Sequence, residues 1–581
     1  MAFSGSGSVV PYPIRAALWV TVASLLGACA RVPTTATPAP EAEAVTADVA
    51  LPEDPKSRLQ YHVLVGELAA QRNALDQAAF HYLEAAQLSR DPELAESATR
   101  YALLAGDEDM ALLAALRWSS LVPDSVPPRE LIARNHLRQG RLDALYAESV
   151  AIIARHPEGR DEGYREVALL LSSDATYADP ALAVMQRLVN DEPQRAAGHY
   201  AYGLLAVRVG QHDLSIQQAD AALALERDWP EAYLLKMGAQ VRSGQMAQAR
   251  QTFDRAMANA DDVVLWRLSY ARLLLEADQT DAAAEQYREV LLSDSNNPDA
   301  LYALALLAMQ ERRLVESYRY LLTLFESGQR RDDAAWFLAQ IEEERENYRE
   351  AYSWYGAVTG GSRVTDAQLR RAYVLYKSDG LVRAQGYLTE LGRRNSDLGQ
   401  RLYAAEAELY FEDGQPVQAL QRYEAGLREY PEDPDLTYGR AMMHAELGNI
   451  PAAEQDLRGL LEREPNDARS LNALGYLMTN HSDRYQEAHA LIERALTLTP
   501  DDPAVIDSMG WIQYRLGNLE RSLELLQEAF RRQPDPEIAA HLGEVLWQLG
   551  QRDKAHDVWR TALADNPSHR VLRETVDRLS Q

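Results

Sequence analysis

The sequence predicts an all-α solenoid of about fifteen helical hairpins, and three series of residues carry that prediction. The first is a small residue that keeps returning: Ala78, Ala111, Leu145, Ala181, Ser215, Ala249, Ala283, Ser317, Ala351, Gln385, Ala419, Ala453, Ala488, Ser522 and Ala555. Successive spacings are 33, 34, 36, eight of 34, then 35, 34 and 33, and thirteen of the fifteen positions hold Ala or Ser. Five residues earlier stand Gly106, Gly140, Gly210, Gly244, Gly380, Gly414, Gly448, Gly517 and Gly550. A glycine there can take φ > 0 and close a first helix before a tight turn. Twelve residues after the small position come Pro123, Pro157, Pro193, Pro431, Pro465, Pro500, Pro534 and Pro567, which stop a second helix where no donor is needed.

A companion position supplies the packing. Four residues after the small one sits a large apolar side chain, such as Tyr82, Phe253, Tyr287, Tyr355, Tyr423, Ile492, Leu526 or Trp559, one turn along the same helical face. The small residue lets two helices approach closely, and the large one fills the gap beside it. Each hairpin buries its apolar face only against its neighbours, so the array escapes the size limits of a single core.

The elements follow in order from the N-terminus. Arg15 precedes an apolar run from Ala16 to Gly27, too short to span hydrocarbon and suited to a signal-peptide core. The run ends Leu26-Gly27-Ala28-Cys29, which resembles the bacterial lipobox. That resemblance implies a signal peptide over 1–28, cleavage before Cys29, and covalent diacylglycerol and N-acyl (palmitate-type) lipid on that cysteine. The next residue is Ala30, not the aspartate that holds such proteins at the inner membrane. The expectation is a periplasm-facing, lipid-anchored protein of a Gram-negative outer membrane, held by more than one acyl chain. Residues 29–55, rich in Pro, Ala, Thr and Glu, are expected to form a disordered tether reaching about 25–30 Å.

The solenoid is expected over 56–581, with N-terminal repeats over 56–157, divergent central repeats over 158–397 and well-matched repeats over 398–581. Arg570 to Leu579 reads as an amphipathic helix covering the open end. The best-patterned units carry Ala473-Leu474-Gly475-Tyr476, Asp507-Ser508-Met509-Gly510-Trp511 and Ala540-His541-Leu542-Gly543-Glu544. These closely resemble the tetratricopeptide repeat (TPR). The resemblance implies a right-handed superhelical solenoid of TPR-type hairpins with a C-terminal capping helix, first helices on the concave face, and protein binding as its business.

Composition narrows the function. A net charge of −28 repels phosphate backbones, which excludes nucleic acid as the partner. Cys29 is the sole cysteine, so neither an intramolecular disulfide nor a cysteine metal cage is available. The fifty-five arginines against four lysines read as a compositional habit. No phosphate-cradling loop, zinc-protease motif or nucleophile elbow occurs. The histidines are scattered: His481 and His489 are too far apart for adjacent turns, and His541 shares a face with Glu544 without a second histidine. Asp501-Asp502 and Asp261-Asp262 stand where helices should start, which the dipole alone explains. The chain is therefore read as non-catalytic, with no metal and no cofactor beyond the lipid on Cys29.

The candidate groove lies on the first helices of the last units and comprises Tyr438, Met442, Tyr476, Asp507, Trp511, Tyr514, Glu544 and Trp547. Aromatics with acidic neighbours suit an extended apolar or basic segment. The carboxylate clamp of chaperone-binding relatives uses paired lysines and asparagines, and this face offers Asn472 alone. In layout, the lipobox, tether and repeats resemble large proteobacterial outer-membrane TPR lipoproteins, notably the lipoprotein partner of a periplasmic carboxyl-terminal processing protease. That likeness implies a membrane-anchored adaptor bringing peptidoglycan hydrolases to such a protease. Two other readings stand beside it: a scaffold for exopolysaccharide export or outer-membrane assembly, and an enzyme concealed in the degenerate stretch from Ser317 to Gln385.

Overall fold

The computed structural model describes residue 52 and residues 54–579, apart from 259, 261 and 568. The expected signal peptide, Leu26, Gly27, Ala28, Cys29 and most of the tether lie outside the described residues. Among the described residues there are thirty-one α-helices, two short 3₁₀ turns and no strand. Thirty of the helices pair in sequence as fifteen hairpins, from Pro55–Gln71 with Leu75–Leu88 to Pro536–Gln548 with Arg552–Asp565. Helix Arg570–Leu579 follows, burying Leu572 against the cluster around Trp559. Two compact units divide the chain, one through Leu307 and one from Ala308. In the first, Ile152, Val184 and Leu205 share a core; in the second, Leu474, Ile492 and Ile512 do.

The small series sets the register. In all fifteen hairpins the buried position is the fourth residue of the second helix, and fourteen of the expected residues occupy it at 0–3 % exposure. The exception is Gln385, which is half-buried while Ala384 beside it is fully buried. The first helix of that hairpin, Val364–Asp379, runs long, and Gly380 alone separates it from Leu381–Arg394. The shortened turn moves the anchor back by one residue.

Turn chemistry follows the expected pattern. All nine glycines of the series have positive φ. In four of the six hairpins that lack this glycine, Asn73, Asp278, Arg312 and Glu346 have positive φ at the same place in the turn. The eight prolines each lie two residues beyond the end of a second helix, as at Leu498 and Pro500 or Arg532 and Pro534. Asp502 and Asp262 cap the helices that follow them, accepting from the backbone N–H of Ala504 and Leu265 at 2.9 Å each.

Some of the arginine excess has a structural use. Arg463, Arg494 and Arg532 reach from second helices to the carbonyls of Glu432, Pro465 and Asp501 at 2.6–2.9 Å, in the turns that precede their own hairpins. A guanidinium fork meets carbonyl acceptors at a range of angles, where an ammonium offers a single point.

The large residue four positions on is buried in every hairpin named for it, from Tyr82 to Trp559. In four hairpins it lies against a glycine of the partner helix: Tyr82 on Gly66, Ile492 on Gly475, Leu526 on Gly510 and Trp559 on Gly543. A Cβ at Gly510 would sit 2.7 Å from Leu526 Cγ, and one at Gly543 would overlap the Trp559 indole. Trp559→Ala should therefore destabilise the C-terminal hairpins by about 3–5 kcal/mol through the cavity it leaves. Gly543→Ala should destabilise them as well, by about 1–3 kcal/mol, because no smaller partner faces it. Denaturant unfolding followed at the C-terminal tryptophans checks both.

Candidate protein-binding face

First helices line the inside of the curve in the C-terminal hairpins. The proof is that side chains two hairpins apart touch: Tyr476 Oη, on helix Ala468–His481, donates to Glu537 Oε1 on helix Pro536–Gln548 at 2.6 Å. The intervening first helix, Pro503–Arg515, is bridged from both sides. Glu446 and Arg570 approach to 3.6 Å across a still longer stretch of chain.

At the centre of this face lies a polar chain built from three hairpins. His541 Nδ1 stands 3.0 Å from both carboxylate oxygens of Asp507, and its Nε2 stands 3.3 Å from Tyr476 Oη. The imidazole stacks on Trp511, with ring centroids 4.1 Å apart and planes 18° from parallel. Trp511 Nε1 donates to Asn480 Oδ1 at 2.9 Å, and its ring also stacks on Tyr514. Tyr514 Oη donates to Glu544 Oε1 at 3.1 Å, and Arg578 of the last helix pairs with Glu544 at 2.5 Å.

The candidate residues thus separate into two groups. Met442, Asp507, Trp511 and Glu544 are buried, Met442 within the apolar core. Tyr438, Tyr476, Tyr514 and Trp547 are half-buried. Arg469 lies over the Tyr438 ring at 4.2 Å while pairing with Asp435, and Arg552 lies over Trp547 at 4.8 Å. Asn472 Oδ1 is buried with no hydrogen-bond partner.

Sequence reasoning missed Glu537, Asn480 and Arg578, and gave His541 no role. It also missed a second inner cluster, in the hairpins over 331–429. There Arg370 donates to Glu343 at 2.9 Å, Tyr355 donates to Glu343 at 2.8 Å, and Lys377 pairs with Glu412 at 3.1 Å. Burial pushes the nearby Glu408 carboxyl up to about 7. This cluster lies in the stretch where a hidden enzyme was weighed, but its charged heads are largely spent on one another. In the His541 network both ring nitrogens have protein partners. Among the described residues, no group of three His, Cys, Asp or Glu side chains is placed to hold a metal ion.

Electrostatics give the network a pH signature. Burial works against a charged His541, but Asp507, its hydrogen bond to Asp507, and Glu537 and Glu544 outweigh it and hold the imidazole pKa above its ordinary value. Burial likewise pushes the Glu537 carboxyl up, against the pull of His541 and Tyr476. A group whose folded pKa is raised stabilises the fold below its unfolded pKa and loses that contribution as pH rises through the folded value. Hydrogen exchange in Pro536–Gln548 should therefore quicken as pH is raised from 6.5 upward, after correction for intrinsic rates. His541→Gln should flatten that dependence.

Comparison with known proteins agrees with this architecture. Profiles of the tetratricopeptide repeat match residues 268–324, 410–475 and 481–541. The chain is 24% identical over 291 residues to cellulose synthase 2 operon protein C of Komagataeibacter xylinus, covering 48% of this chain and 20% of that one. The structure of the APC/C hetero-tetramer Cut9-Hcn1 aligns with a TM-score of 0.34 at 15% identity, over 90% of this chain and 97% of that chain. TPR repeat-containing protein PA4667 of Pseudomonas aeruginosa is 33% identical over 531 residues, which cover 90% of this chain and 88% of its relative. On that likeness, and on the hairpins described above, this chain belongs to the same tetratricopeptide-repeat protein family as the Pseudomonas protein.

Proposed function

We propose that this protein is a lipid-anchored adaptor whose inner TPR face holds a partner protein close to the periplasmic side of an outer membrane. The observation that carries the reading is the inner face of the last four hairpins. Of its half-buried aromatics, Tyr476 and Tyr514 are tied by hydrogen bonds to Glu537 and Glu544, and Tyr438 and Trp547 lie under Arg469 and Arg552. Rigid aromatics with one surface left open lose little entropy on binding, and they are the side chains that anchor protein interfaces. The finer assignment, a peptidoglycan hydrolase brought to a carboxyl-terminal processing protease, rests on the layout of lipobox, tether and repeats. It requires Cys29 to carry lipid.

A second reading, a scaffold for exopolysaccharide export, is favoured by the likeness to the Komagataeibacter protein, over a fifth of that protein's length. Affinity capture of the tagged protein from envelope extract separates the two. The adaptor reading expects a processing protease or wall hydrolase in the eluate, reduced at least tenfold by Tyr438→Ala with Tyr514→Ala. It also expects Cys29→Ser to appear in the soluble periplasm. Export components alone would overturn the adaptor, and a Cys29→Ser protein that stays in the membrane would overturn the anchor.

A further inference from the structure

The first helices of the last four hairpins and the final helix form a closed circuit of polar contacts. Arg469, on Ala468–His481, pairs with Asp435 on Pro434–Glu446 at 2.7 Å. Trp511, on Pro503–Arg515, donates to Asn480 of Ala468–His481 at 2.9 Å. Tyr514 donates to Glu544 of Pro536–Gln548 at 3.1 Å, and Arg578 of Arg570–Leu579 pairs with the same carboxylate at 2.5 Å. The circuit closes where Arg570, first residue of the last helix, approaches Glu446, last residue of Pro434–Glu446, at 3.6 Å.

This closing link is the weakest of the five. The other four lie within hydrogen-bond distance, and 3.6 Å lies beyond it. Arg570 is 44% exposed and stands 3.8 Å from Glu574 on its own helix, so a second carboxylate competes for it. Glu446 Oε2 is buried, and none of the described residues donates to it. An ion pair this open is screened by salt and holds weakly. The last helix does not depend on it, because Leu572 and Thr575 are buried and Arg578 is fastened to Glu544. Releasing Arg570 therefore leaves that helix docked and frees each hairpin to turn slightly against the next. Small turns at successive junctions of a solenoid add up. The added turn parts Tyr476 from Glu537 and His541, the contacts that skip a hairpin, and uncovers its ring and hydroxyl.

We propose that Arg570 and Glu446 are a clasp holding this inner face closed and, resting on the reading of that face as the binding face, that a partner binds once the clasp releases. The released Glu446 carboxylate then takes a lysine or arginine side chain of the partner in place of Arg570. The two sides of one ion pair thus have opposite effects on binding, which a purely structural pair would not show.

Hydrogen exchange on the full-length chain tests the clasp without a partner. Arg570→Gln and Glu446→Gln should each speed exchange in Ala468–His481 and Pro536–Gln548 by about threefold or more, and leave the hairpins over 196–293 unchanged. Glu446→Arg combined with Arg570→Glu should restore the parent rates. Unchanged exchange in both single variants would overturn the clasp, as would failure of the exchanged pair to restore it. Affinity capture with envelope extract as the probe tests the rest. Arg570→Gln should recover about threefold more partner than the parent chain, and Glu446→Gln less than Arg570→Gln by a similar factor. Equal recovery by the two variants would overturn the cationic partner group. Altered exchange, with a recovered protein that survives Tyr438→Ala with Tyr514→Ala, would keep the clasp and overturn the inner face as the binding site.

Discussion

The close approach of two helices at one small side chain is the constraint on which everything else here depends. At the fourth residue of each second helix there is room for Ala or Ser, and in one hairpin for Leu145. That contact sets how far the second helix can sink against the first, and therefore where the large residue one turn later must go. Glycines such as Gly475, Gly510 and Gly543 then serve as sockets, since a side chain there would meet Ile492, Leu526 or Trp559. Repetition of the same contact fixes the rotation from one hairpin to the next, and the rotation brings first helices together on the inside. Tyr476 can touch Glu537 only because of that accumulated geometry.

Inside the curve, the physics changes from packing to charge. Asp507, Glu537 and Glu544 are drawn together there, and His541, Arg578 and two tyrosine hydroxyls compensate them. Buried charges of one sign cannot stay unpaired, so the network is a condition for the hairpins to curve this tightly with these residues. It also explains why Asp507 and Glu544 of the candidate set are buried. Asp507, Trp511 and Glu544 are buried within it, whereas Tyr438, Tyr476 and Tyr514 are half-buried.

How much of this was legible follows from the sequence distance of each contact. The anchor, the turn glycine and the terminating proline act within one hairpin, and their spacing announces them; Gly517, Ser522 and Pro534 fall where counting puts them. Gln385 shows the limit. The turn at Gly380 is shorter than the others, and counting by 34 lands one residue late. The His541 network was invisible for another reason. Its links between hairpins span 30 to 65 residues, joined by a curvature that no local pattern encodes.

Conformational cost is not spread evenly along the array. A left-handed residue other than glycine costs about 1–2 kcal/mol relative to its relaxed backbone. Asp278, Arg312, Arg330 and Glu346 all adopt that conformation within a single stretch, whereas every such turn residue from Gly380 to Gly550 is glycine. The stability of a repeat array is close to a sum of local terms, so the stretch from Asp278 to Glu346 is where it should open most readily. The aromatic inner face lies beyond it, in hairpins whose turns are relaxed and whose second helices are pinned by Arg463, Arg494 and Arg532. A surface that must hold a partner in fixed geometry gains from standing on the least strained part of its chain, and a solenoid can provide this because each hairpin's stability is largely its own.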